Sequence, residues 1–176
     1  FLNRSLYALK YQEINILLSN LVNNDSKVLY YRDPSERVQR IAPWLTLDGD
    51  PYPAVIDGKI FWIIDGYTST NFYPYSTRTS LDIATADSVS QTSTALRTQA
   101  ARSINYVRNS VKATVDAYDG TVSIYAWDES EPILKSWSQA FPGIVKPRSA
   151  MPAEVVDHVR YPEDLFKIQR EILSKY

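Results

Sequence analysis

Two Asp-Gly pairs, Asp57-Gly58 and Asp119-Gly120, each stand between runs of β-forming residues, and they limit the folds open to this chain more than any other feature. A two-residue Asp-Gly link favours a type I′ hairpin turn, which needs positive φ at both positions. Ala54-Val55-Ile56 precedes the first pair and Lys59-Ile60-Phe61-Trp62-Ile63-Ile64 follows it. The run from Ile60 to Ile64 is apolar at every position, which predicts a mid-sheet strand covered on both faces. Around the second pair, Val111, Ala113, Val115 and Ala117 alternate with Lys112, Thr114, Asp116 and Tyr118; Val122, Ile124 and Ala126 then alternate with Thr121, Ser123, Tyr125 and Trp127. With a two-residue loop Tyr118 faces Thr121, Val115 faces Ile124, Thr114 faces Tyr125 and Lys112 faces Trp127. That register puts the small and branched apolar residues on one face and the polar and aromatic ones on the other. The fold class that follows is α+β: a mostly antiparallel sheet carrying two Asp-Gly hairpins, with helices packed on it.

The helices are read from period and punctuation. Tyr7, Tyr11, Ile14, Leu18 and Leu21 recur at spacings of three and four, with Leu17 beside them, and predict a helix from Ser5 to about Val22. Lys27 to Tyr31 is β-branched and aromatic and reads as a strand. Asp33-Pro34-Ser35-Glu36 is a helix start, with Val38, Ile41 and Leu45 expected to face the core and Pro43 ending the helix near Ile41. If the strands flanking this helix are parallel, the crossover is expected to be right-handed. Further helices are expected at Ser93–Asn105, at Pro132–Phe141 with Ile133, Leu134, Trp137 and Phe141 inward, at Pro152–Val159, and from Glu163 onward with Leu165, Ile168 and Ile172 inward. Between Thr68 and Thr98, 14 of 31 residues are Ser or Thr, so this stretch is expected to run over the surface of a single domain spanning 1–176.

Composition excludes several chemistries. With net charge −1, the chain is not a nucleic-acid binder that works by charge. Having no cysteine, it carries no disulfide, thiolate metal site or Cys nucleophile, and its single histidine, His158, gives a zinc site little to work with. No apolar run approaches the roughly 18 residues of a membrane span. The chain opens Phe1-Leu2-Asn3-Arg4 without an initiator methionine and is expected to be a piece of something longer. Its first helix and some sheet edge are then expected to expose apolar surface.

The candidate site surrounds the first hairpin. Asp48, Asp50 and Asp65 lie near it in sequence, as do Tyr52, Tyr67, Tyr73 and Tyr75. Asp48-Gly49-Asp50 has the look of a calcium loop. A calcium site usually takes six or more oxygens, however, and the EF-hand spacing is absent, so neither metal nor cofactor is expected. Paired carboxylates facing one cleft could do acid–base work, yet no partner residue supports it. If this ledge binds, it is expected to bind through tyrosine rings. Lys112 beside Trp127 reads as a cross-strand cation–π contact.

Longer strings carry a resemblance: Leu29-Tyr30-Tyr31-Arg32-Asp33, Glu36 to Pro43, Leu47-Asp48-Gly49-Asp50-Pro51-Tyr52-Pro53, Asn105 to Lys112, Asp116 to Val122, Phe141-Pro142-Gly143 and Arg160 to Phe166. Over about Val28 to Leu173 the chain resembles the uncharacterised protein family 0182, large bacterial membrane proteins with several N-terminal spans and a long soluble region. The resemblance implies an excised part of that region, outside the cytoplasm, with no catalytic residues to carry over. The expected function is therefore a non-enzymatic interaction or scaffold module. Its expected partners are the remainder of its own membrane protein and a protein or glycan, not nucleic acid. The alternative is a hydrolase or carbohydrate-binding module using the Asp/Tyr ledge.

Overall fold

The computed structural model describes residues 2–23, 26, 31–86 and 99–175. They fall into two compact units, 1–30 and 31–176.

In the first unit the expected single helix is two: α1 (Leu2–Tyr11) and α2 (Asn15–Leu18). Gln12 takes a left-handed φ of 53° between them. The Arg4 guanidinium then donates to the carbonyls of Ile16, Leu17 and Ser19 at the end of α2. A cation on orphan C-terminal carbonyls satisfies groups that one continuous helix would have bonded internally. The stripe is open: Tyr11, Ile14, Leu18 and Leu21 are exposed.

The second unit begins at Tyr31, whose φ of 48° takes it out of any strand; the rest of the expected strand, 27–30, lies outside the described residues. Helix α3 (Pro34–Ile41) starts as expected, with the Asp33 side chain accepting from the Ser35 and Glu36 amides and Pro34 in the first turn. Val38 and Leu45 are buried, but Ile41 is exposed and Ala42 fills the core position instead. Strands β1 (Thr46–Leu47), β2 (Tyr52–Ile56) and β3 (Lys59–Thr70) follow. Then come β4 (Thr79–Ser80), α4 (Leu81–Ala84), β5 (Ser103–Ile104), β6 (Tyr106–Asp116) and β7 (Val122–Ala126). The chain closes with α5 (Pro132–Ala140), β8 (Val145–Lys146), a 3-10 turn (Arg148–Ala150), α6 (Ala153–Val156) and α7 (Glu163–Leu173). The main sheet has the order β1-β3-β6-β7-β8, with β2 also on β3; β4 and β5 form a small second sheet. All pairings are antiparallel except β7 with β8, so the α+β class and mostly antiparallel sheet hold.

Central strand β3 separates two cores. One face gathers Ile64, Val111, Ala113, Val115 and Ile124 under Val38 of α3 and Leu134 of α5. The other gathers Tyr52, Ala54, Ile56, Ile63 and Tyr125 under Met151 and Val155. Cover is incomplete at the first hairpin: Ile60 is 41% exposed opposite exposed Val55, and burial of the apolar run is complete only from Ile63. Ile56, on the other face of the ladder, is buried in the second core, so the uncovered side is that of Val55 and Ile60.

The first hairpin has the expected geometry, with Ile56 paired to Lys59 and both Asp57 and Gly58 at positive φ. The second corrects the expected register. Val115 pairs with Val122 and Ala113 with Ile124, two residues away from the Val115–Ile124 pairing. Asp119 is not left-handed, and the Asp116 carboxylate accepts the Tyr118 and Asp119 amides, so the loop closes at Asp116 and is longer. A shift of two preserves which side chains share a face. Val115 and Ile124 are accordingly in one core, with Thr114 and Tyr125 on the other face.

Of the Ser/Thr-rich stretch, Thr68–Thr70 continue β3, and 87–98 lie outside the described residues. The described part of the expected 93–105 helix is not helical. Asn105 pins it, exchanging hydrogen bonds with the Tyr73 backbone and bonding Thr70 O through its own amide. Toward the C-terminus α5 and α7 stand where expected and α6 is shorter. Phe141 and Ile172 are exposed rather than inward; Phe141 instead stacks on Trp137, which stacks on Trp44.

The two turn glycines differ in a testable way. Both have positive φ, but a Cβ on Gly58 meets open space whereas one on Gly120 would clash with the Arg37 guanidinium, whose Nη1 donates to Gly120 O. Gly58→Ala is expected to cost about 1 kcal/mol from backbone conformation alone. Gly120→Ala should cost measurably more in urea unfolding, because the guanidinium must also leave.

Candidate functional site

Asp48, just beyond β1, is buried, and its carboxylate is fully engaged. Oδ1 accepts the Asp50 amide at 2.9 Å; Oδ2 accepts the Tyr67 hydroxyl and, at 3.0 Å, the amide of Asp164 in the first turn of α7. Helix α7 has Pro162 at its cap and no side-chain cap of its own, so a residue 116 positions earlier satisfies one of its orphan donors. Asp164 answers in kind: its Oδ2 accepts the Gly49 amide at 2.8 Å and Gln99 Nε2 at 2.6 Å. The Tyr67 hydroxyl also accepts the Leu165 amide at 3.3 Å. Each segment thus supplies what the other lacks.

A second knot lies alongside. Asp65 on β3 and Lys112 on β6 are cross-strand partners, both buried, and form an ion pair. Asn109 Nδ2 donates to the same carboxylate oxygen at 2.9 Å, reached through the β-bulge at Gly66/Tyr67. Lys112 Nζ also donates to Arg160 O, while the Arg160 amide donates to the Tyr52 hydroxyl at 2.9 Å. The segment leading into α7 is therefore held from both sides of its backbone.

Burial raises the Asp65 carboxyl above its ordinary range, with Lys112 and Asn109 pulling the other way. Asp164 is raised by burial and then by the Asp48 carboxylate, and the Tyr67 phenol by burial and then by Asp48, which keeps Tyr67 a donor. Burial likewise raises Tyr52. Asp50, partly exposed, is raised by burial first and then by its hydrogen bond to the Glu163 carboxyl.

The expected site residues thus divide. Asp48, Asp65, Tyr52 and Tyr67 are buried in one polar network that Asp50 borders. Tyr73 and Tyr75 are exposed; Tyr73 stacks on Tyr106, and both line a separate groove of about 840 Å³ with Ile168 and Ile172. The four tyrosines form no common ledge. Asp48 lines a cavity of about 490 Å³ with Ser35 and Arg102, and neither Asp50 nor Asp65 belongs to that lining. Among the described residues no group of three His, Cys, Asp or Glu side chains is placed to hold a metal ion. His158 is exposed and bonds Glu154 O within its own helical turn. The expected Lys112–Trp127 contact exists, at 5.2 Å, beside the ion pair. Sequence reasoning missed Asp164, Asn109 and Gln99. Glu163-Asp164 in the first turn of a helix complements the helix dipole, and nothing local ties the pair to Asp48.

The family model described as Uncharacterised protein family (UPF0182) matches residues 1–176. The chain belongs to that family. It is 54% identical over 176 residues to a UPF0182 protein of Thermobifida fusca and 56% identical over 173 residues to one of Frankia alni, covering 100% and 98% of this chain. A Corynebacterium diphtheriae relative is 51% identical over 175 residues, 99% of the chain. The chain spans only 17–18% of the length of these three relatives. No solved structure matches it.

Two outcomes test the network. Lys112→Met strands a buried carboxylate and is expected to cost about 3–5 kcal/mol, with Asp65→Asn in the same chain recovering much of it; urea unfolding measures both. Asp50 makes one contribution to the pH dependence that a single substitution can isolate. Below its ordinary value of 3.8 both folded and unfolded chains hold its proton. Above that value the unfolded chain releases the proton first, so stability falls until pH passes the raised folded value. Asp50→Asn removes that fall, so its advantage over wild type should grow through this window and then level off.

Proposed function

We propose that this region is a non-enzymatic interaction or scaffold module of a larger bacterial membrane protein, held outside the cytoplasm. The observation that carries the reading is the engagement of its acidic residues. Asp48, Asp65 and Asp164 accept backbone amides, a lysine and side-chain donors of their own chain, which suits a clamp and leaves little for proton transfer to a substrate. An acid–base pair would need its carboxyls within reach of the proton it moves. The partner we assign first is the remainder of the same protein. Support comes from the length of the relatives and from apolar side chains left open on α1, α2, the first hairpin and the outer side of α7. Membership of the family, with its resemblance to multi-span proteins, supports the location.

The location is tested in cells producing the full-length protein. Tyr75 is fully exposed, and the chain has no cysteine, so Tyr75→Cys adds one accessible thiol to this region. A membrane-impermeant maleimide applied to intact cells is expected to label the variant above the background of the unsubstituted protein. Labelling only after the cells are opened would place the region in the cytoplasm and contradict the proposal.

A further inference from the structure

A cleft of about 1330 Å³ lies between the first half of β6, the segment after β7, the 3-10 turn and the inner side of α7. Its cations are already arranged. The Arg148 guanidinium lies 4.0 Å over the Trp127 ring, and that of Arg160 lies 4.6 Å over Tyr52. Among the described residues neither guanidinium has an ion pair or hydrogen bond; the hydrogen bonds of both residues run through their backbone N–H and C=O groups. An arginine held over an aromatic face with no other partner for its guanidinium has N–H groups available as a fork for a carboxylate.

The acids at the rim are occupied elsewhere. Asp128 accepts the Ser130 amide and hydroxyl and lies 3.5 Å from Arg108, while Glu129 accepts the Arg148 amide at 2.7 Å. Lys112, in the wall, is consumed by Asp65 and Arg160 O, and with Tyr52 it fixes the Arg160 backbone from both sides. Little ordering is left for a ligand to impose, and preorganisation of this kind favours binding. The lining also carries apolar side chains, among them Val159, Leu165 and Ile168. The cleft also exceeds the roughly 300–1,000 Å³ usual for small-molecule sites.

We infer that this cleft binds an acidic polypeptide segment, its carboxylates on Arg148 and Arg160 and its apolar side chains against Val159, Leu165 and Ile168. The inference rests on the reading of the region as an interaction module and names the surface and the partner chemistry. The test is fluorescence anisotropy of a labelled octapeptide of alternating Glu and Leu against the 176-residue chain. Saturable binding is expected, weakened by salt and reduced roughly tenfold by Arg148→Gln and by Arg160→Gln. Arg148→Lys should not restore it, because an ammonium cannot present the planar fork. Thermal unfolding monitors each variant's fold, and if Arg160→Gln unfolds, Arg148→Gln decides alone. Absence of saturable binding, equal binding of the corresponding Lys/Leu peptide, or insensitivity to Arg148→Gln overturns the inference. So does full displacement by inorganic phosphate or by phosphatidylglycerol vesicles, which would mark a general anion or lipid surface. Such a failure would leave the maleimide result, and with it the proposed location, standing.

Discussion

The carboxylate of Asp48 is the constraint on which the second unit depends. It lies where β1 ends and α7 begins, two segments far apart in sequence, and it satisfies an amide of each. A buried carboxylate is costly unless its oxygens are matched by donors, and here three donors match it. Asp164 returns the arrangement to Gly49, so α7 cannot leave the sheet without exposing unsatisfied groups on both sides. Ile168 adds an apolar anchor among Leu81, Ala84 and Ile104.

The Asp65–Lys112 pair extends the same logic across the centre of the sheet. An ion pair of this burial contributes little net stability relative to a well-packed apolar pair, but losing either partner is severe. Its structural value is in register: with Asn109 at the bulge, it fixes which residues of β3 and β6 face the C-terminal segment. That choice positions Arg160 and gives the large cleft its pinned wall.

What could be read from sequence was what neighbouring residues decide. The Asp57-Gly58 turn, the Asp33 cap and the alternation on β6 and β7 are local, and each stands in the structure. The second hairpin shows the limit. Asp119-Gly120 suggests a two-residue turn, but the Asp116 carboxylate, three positions earlier, accepts the Tyr118 and Asp119 amides and the loop closes there instead. The split of the first helix was hidden because Arg4 acts across the turn on carbonyls 12 to 15 residues away. The network around Asp48 was half legible: its residues on the first hairpin stood out by chemistry, whereas Asp164 and Gln99 enter only through tertiary contact. Tyr73 and Tyr75 looked continuous with Tyr52 and Tyr67 because closeness in sequence was the only measure of closeness at hand.

Amide hydrogen exchange on Asp48→Ala tests the clamp most directly. Removal of the carboxylate should release α7, so that amides from Leu165 to Ile172 lose protection while those of Ile63, Ile64 and Val111 to Val115 in the sheet centre keep most of theirs. Unchanged protection along α7, or an equal loss across the sheet centre, would contradict the claim that Asp48 serves to fasten the C-terminal helix.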